Sequence, residues 1–101
     1  MFTISDINNQ SIVVDGAWID KLDWGGNSKS RVPATRYTGT EVQETSRRKR
    51  IFFGEREELL IVMVAAGPTL SLTLRADQRP EVDRLIAELE RARDHANGMT
   101  G

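Results

Sequence analysis

The 101-residue chain has no cysteine, a single histidine, three prolines and no surplus of charge of either sign. The missing thiols exclude disulfides, thiolate metal sites and cysteine nucleophiles, so the fold must rest on an apolar core. With one imidazole and no thiol, a transition-metal site would have to be mostly carboxylate, a poor donor set for zinc. A Ser-His-Asp arrangement would have to use His95, close to the end of the chain. Gly25-Gly26 precedes no helix, which removes the phosphate-binding loop. We therefore expect no cofactor, no metal and no enzymatic activity.

Lys and Arg number 14 against 15 Asp and Glu, a net charge of -1, which supplies no global attraction to nucleic acid or an anionic membrane. Binding of either kind needs a local patch. Long hydrophobic runs are also lacking. The longest, Leu59 to Gly67, falls far below the ~20 residues of a membrane helix. Met1 to Gln10 has no basic region leading into an apolar one, as a secretory leader would. These absences lead to the expectation of a cytoplasmic protein without a transmembrane segment.

What is present suits one small domain. Hydrophobic residues make up 39% and charged residues 29%, and a chain of this size buries roughly two-thirds of its unfolded surface. We expect a single domain over residues 1–101 with its core in 11–96, a short strand or arm in 1–10 and a disordered tail in 97–101. The clearest element is Pro80 to Ala96, where Val82, Leu85, Ile86, Leu89, Ala92 and Ala96 recur at helical spacing and leave the charges on the other face. Asp77 is the expected N-cap, Pro80 lies in the first turn, and Asn97-Gly98 is the expected stop. Glu88 with Arg91 and Glu90 with Arg93 have the spacing of surface ion pairs.

Everything before this helix reads as strands and turns. Ser11 to Val14 and Ala17 to Trp24 flank Asp15-Gly16, a hairpin dipeptide. A two-residue loop there pairs Val14 with Ala17 and Val13 with Trp18, and puts Val13, Trp18, Leu22 and Trp24 on one face, expected to be the core face although Asp20 interrupts it. Gly25 to Ser30 is a loop, Arg31 to Ala34 a short extended piece held to an edge by Pro33, and Thr40 to Thr45 a strand with Val42 inward. Gly54 to Glu58 is expected to turn the chain. Leu59 to Ala66 is apolar throughout, as in a strand buried on both faces. After Gly67-Pro68, Leu70, Leu72 and Leu74 alternate with Thr69, Ser71 and Thr73, completing a hairpin. The sum is a mostly β protein with one C-terminal α-helix, about seven antiparallel strands in a sandwich or partly open barrel.

That order of elements, with the segments "SIVVDGAWI", "RVPATRYTGTEV" and "LSLTLR" running into "DQRPEVDRLIAELERAR", resembles the small bacterial pleckstrin-homology-like and GRAM-like domains of unknown function. The resemblance covers residues 11 to 96. It implies two near-orthogonal sheets capped by a C-terminal helix and a binding module for phosphoinositides, peptides or partner proteins, without catalytic residues. Fold alone does not choose among these.

Two basic segments are candidate ligand sites. Lys21, Lys29, Arg31 and Arg36 surround the Gly25-Gly26 loop, where converging cations could bracket a phosphate, although Asp20 and Asp23 offset the charge. Arg47, Arg48, Lys49 and Arg50 lead into Ile51, Phe52 and Phe53, a combination able to hold phosphates and stack a base. In a strand these side chains alternate faces and acidic residues flank them, which better suits a solvated hairpin arm or a charged edge strand that blocks unwanted pairing. Trp18, Trp24, Phe52 and Phe53 read as core. The function expected is a non-enzymatic module for a protein or peptide partner, by strand addition or as a homodimer; the alternative is a binder of anionic lipid head groups or nucleic acid.

Overall fold

In a computed structural model, residues 1–48 and 56–100 are described, and they form seven strands followed by one helix. Strands β1 (Phe2–Ser5), β2 (Ser11–Asp15), β3 (Trp18–Leu22) and β4 (Ser28–Pro33) pair in sequence order as one antiparallel sheet. A turn of 3-10 helix at Ala34–Arg36 leads to the second sheet, β5 (Gly39–Arg48), β6 (Arg56–Ala65) and β7 (Thr69–Arg75), also in sequence order. Another 3-10 turn at Ala76–Gln78 opens α1 (Arg79–Thr100). The two sheets remain separate rather than closing into a barrel.

Hydrophobic alternation places the core. Phe2, Ile4, Ile12, Val14, Ile19 and Val32 line the inner face of the first sheet, and Leu60, Val62, Val64, Leu70, Leu72 and Leu74 that of the second. Val82, Leu85 and Leu89 of α1 are fully enclosed in the same cluster. The helix contributes through the expected stripe, packing over β1, β2 and the turn at Ala34–Arg36. The Arg84 guanidinium lies over the Phe2 ring at 5.0 Å and that of Arg93 over the Tyr37 ring at 5.4 Å, cation–π contacts at the rim of the core.

Two polar side chains join the chain ends to the sheets. Asp6 is buried just beyond β1; its Oδ1 accepts the N–H groups of Asn8 and Gln10, each at 2.9 Å, while Oδ2 accepts the N–H of Thr73 in β7 at 2.9 Å. Ile7 N–H donates to Thr73 O at 3.0 Å, so this turn occupies the outer edge of β7. Asn9 takes a left-handed conformation (φ 58°) to close it, one that Asn adopts more readily than most residues. Gln78, also buried, accepts the Arg75 N–H at 3.1 Å and donates to Ser5 O at 3.1 Å.

Several sequence expectations are corrected. The β2–β3 loop is Gly16-Ala17, with Asp15 opposite Trp18, Val14 opposite Ile19 and Val13 opposite Asp20. Gly16 alone carries the positive φ (58°), the pattern of a type II′ turn. Val13, Trp18 and Leu22 do share a face, but it is the outer one. Ile12, Val14 and Ile19 face the core, while Asp20 keeps the opposite face, where it pairs with Arg31 at 3.3 Å as a buried charge requires. Gln78, not Asp77, satisfies the N–H at the helix entrance, while Asp77 pairs with Arg75 at 3.4 Å. The helix runs through the expected stop at Asn97-Gly98 and on to Thr100. Ser28 to Ser30 belong to β4 and Arg56 to Glu58 to β6. Ile61 and Met63 are only half-buried, so β6 is sheltered mainly on its inner face.

The molecule measures 56 × 24 × 21 Å, and the ladder explains much of the length. The β6–β7 pairing ends at Leu59 opposite Arg75, while β5 and β6 continue as a two-stranded ribbon through Ser46–Glu58, Arg47–Glu57 and Arg48–Arg56. The described side chains of this extension contribute none of the buried core.

Replacing Asp6 with Ala strips three N–H donors of their acceptor, and hydrogen bonds to a charged group are worth about 1.5–3 kcal/mol each. Water can replace the acceptor at exposed Asn8 and half-buried Gln10, so thermal unfolding should show a loss of roughly 3 kcal/mol, chiefly from Thr73, and a fall in Tm on the order of 15 °C; an unchanged Tm would mean that the apolar core alone holds the sheets together. Leu85→Asp, which puts a charge where the side chain is fully enclosed, should abolish cooperative folding, and Leu85→Ala should cost about 3 kcal/mol.

Candidate interaction surface

The four cations expected around the Gly25-Gly26 loop are not brought together. Lys21 lies on the inner side of β3, where its Nζ donates to Gln10 Oε1 at 2.7 Å. Arg31 is on the opposite face of β4, paired with Asp20 (3.3 Å) and lying 4.9 Å over the Trp18 ring. Lys29 is exposed in β4. Arg36 closes the 3-10 turn and packs beside Gly67, whose φ of +87° fixes the β6–β7 turn. The register sets Asp20 opposite Arg31 and Lys21 opposite Ser30, so adjacent residues of β3 send their charges to different sides of the sheet.

In the second basic segment, Arg47 Nε contacts Glu57 Oε2 at 2.9 Å across the ribbon, and Arg56 Nε donates to Ser46 Oγ at 3.1 Å. Arg48 ends β5, and Lys49, Arg50, Ile51, Phe52 and Phe53 lie outside the described residues. The two basic segments belong to different sheets, Lys29 and Arg31 to β4, Arg47 and Arg48 to β5.

Both tryptophans depart from the expected core placement. Trp18 is 41% exposed on the outer face of the first sheet, and Trp24 is 80% exposed between β3 and β4. That loop is tightly built. Asp23 Oδ1 accepts the N–H groups of Gly25 and Asn27 at 2.9 Å each, Asp23 N–H donates to Asn27 O at 2.9 Å, and Gly26 takes φ +79°. The backbone hydrogen bond from Asn27, joined by that from Gly25 and the charge of Lys29, holds the Asp23 carboxyl below its ordinary value of 3.8 and outweighs the opposing effect of desolvation. A rigid loop presenting an indole to solvent is an anchor of the kind interfaces use.

The sheet edges differ sharply. β1 spans four residues, and its last carbonyl takes the Gln78 amide. β4 ends in Pro33 and is irregular opposite Lys21 and Leu22, two devices that discourage further pairing. β7 is occupied by the Asp6–Ile7 turn at Thr73. β5 has ten residues in continuous register with β6, and among the described residues no strand lies on its other side. Its Glu41, Gln43, Glu44, Thr45 and Arg47 are all exposed. Sequence reading located this strand but missed its full length and its open side. The signal was the proline-free run Gly39 to Arg48, in which apolar content is low enough for both faces to reach water. Two open clefts lie near the β6 end of the ribbon: one of about 280 Å³ lined by Glu44, Glu58, Leu60 and Arg79 among others, and one of about 260 Å³ beside Arg56, Arg75 and Asp77.

No helix among the described residues is long and apolar enough to cross a membrane, and none of their His, Asp and Glu side chains form a group that could hold a metal ion. No family model, no curated protein and no solved structure matches the chain.

The depressed Asp23 carboxyl fixes the sign of a pH effect. Its contribution to the loop is fully present above the ordinary carboxylate value and is lost as pH falls through the lower folded value. The Gly25 and Asn27 amide resonances should titrate together with a midpoint below 3.8, with Asp23→Asn removing the transition. A midpoint at or above that value would show that the loop does not hold the carboxylate.

Proposed function

We propose that the protein is a non-enzymatic interaction module that takes a segment of a protein or peptide as an added strand along the open side of β5. The observation that carries this reading is the contrast among edges: three are shortened, interrupted or occupied, while β5 offers ten residues in unbroken register. An edge strand presents unpaired N–H and C=O groups that bind extended backbone with little regard to sequence, and neighbouring side chains then select the partner. Here the selecting side chains are Glu41, Gln43, Thr45 and Arg47 on the outer face, with Glu44 on the inner side. The order of a four-stranded meander, a three-stranded meander and a helix supports the pleckstrin-homology-like reading of the sequence. The anionic-ligand alternative has less support, since Lys21 faces away from Arg31 and the two basic segments lie on strands of different sheets.

N–H groups alternate sides along an edge strand, so of Gln43→Pro and Glu44→Pro one removes an outward donor and leaves the β5–β6 ladder intact. The variant that keeps the wild-type melting temperature should bind the partner captured by the wild-type protein roughly tenfold more weakly or worse. Equal binding by that variant would place the partner on another surface.

A further inference from the structure

The open strand carries its own complement. Along β5 the charges are segregated: Glu41 and Glu44 occupy the first half, Arg47 and Arg48 the end. Antiparallel pairing of such a strand with itself brings each acidic half against the other copy's basic end. Parallel pairing would set like charges side by side, which is destabilising.

Symmetry narrows the arrangement further. Two antiparallel neighbours related by a two-fold axis need that axis perpendicular to the sheet, so opposing residues must come from the same face of each copy. Inner faces then lie on the same side, and the result is a continuous six-stranded sheet in the order β7-β6-β5 followed by β5-β6-β7 of the second copy. Centred on Thr45, this pairing sets Thr45 opposite Thr45, Glu44 opposite Ser46 and Gln43 opposite Arg47, with Glu41 diagonal to Arg47. No like charges are directly opposite, each Glu44 is diagonal to Arg48 as well as to Glu44 of the other copy, and a threonine pair sits on the axis, one of the favourable cross-strand pairs.

The free copy is prepared for this contact. Arg47 is held by Glu57 on the adjacent strand at 2.9 Å, which fixes it at the outer face, and Glu41 receives the Gln43 amide at 3.3 Å. β5 contains no proline and no irregularity in its register with β6, unlike β4, so its backbone groups are in phase for a second partner along the whole length. From this charge pattern on an unpaired, regular edge, we infer that the strand added to β5 is β5 of a second copy, making the protein a two-fold symmetric dimer. This rests on the strand-addition reading above and names its partner.

Sedimentation velocity and light scattering over a wide concentration range test it. The wild-type chain should move from monomer to twice its mass as concentration rises, and more weakly at high salt, since exposed charge pairs are screened. Glu41→Lys with Glu44→Lys makes the strand wholly basic, and Arg47→Glu with Arg48→Glu makes it wholly acidic. Each double variant alone should lose the dimer, and an equimolar mixture should recover it as a heterodimer. Circular dichroism melts establish that each variant is folded. Backbone amide exchange supplies an independent reading, with alternate amides of Val42–Arg48 gaining protection as the wild-type dimer forms.

A wild-type protein that stays monomeric throughout would overturn the inference, and the proline-variant comparison would still decide the strand-addition reading on its own. A dimer that survives in either double variant, or folded variants that do not recover it on mixing, would place the contact elsewhere than β5.

Discussion

The carboxylate of Asp6 ties together parts of the chain that no strand pairing connects. Each sheet is a meander whose ladders join only consecutive strands, so hydrogen bonding within the sheets leaves them as two separate objects. One buried side chain bridges them, accepting two N–H groups from its own turn and a third from Thr73. The geometry serves two ends at once: it shapes the turn after β1 and lays that turn along β7. Gln78 repeats the arrangement one layer out, its amide linking the helix entrance to the last carbonyl of β1. With the sheets and the helix start set in this way, Val82, Leu85 and Leu89 fall into the space between β1, β2 and the turn at Ala34–Arg36.

The helix stripe and the Leu70-Leu72-Leu74 strand were legible in the sequence because apolar periodicity is a local signal that survives without knowledge of neighbours. The hairpin between β2 and β3 shows where such a signal stops. Asp15-Gly16 marks a turn correctly, yet moving the two-residue loop to Gly16-Ala17 shifts every pair, and with apolar residues on both faces of these strands the outer face was taken for the inner one. Asp20 carried the deciding information. It lies on the outer side, 8% exposed, with Arg31 on one oxygen and no partner for Oδ1 among the described residues. Asp6 and Gln78 were illegible for a different reason: their partners are 67 and 73 residues away. No spacing rule reaches across such a gap.

The candidate surface was legible only in part. Basic residues were easy to find, but their value depends on convergence, and alternation along β3 and β4 sends Lys21 and Arg31 to opposite sides. Trp24 read as core because it is large and apolar; the Asp23 turn lifts it out of the sheet two residues past the end of β3. The openness of β5 is a property of what does not pair with it, which no stretch of its own sequence reports. Once the neighbours are placed, the same residues acquire meaning: the sheet edges that are shielded set off the one that is not.

The ribbon formed by the far ends of β5 and β6 stands apart from this ledger of buried contacts. Its described side chains leave the core untouched, so substitutions there act on little of what keeps the domain folded. A lineage can therefore rewrite the ribbon's surface while Asp6, Gln78 and the helix stripe stay fixed. Folding leaves this part of the molecule free to change, so any constraint on its sequence comes from what it contacts and not from the core.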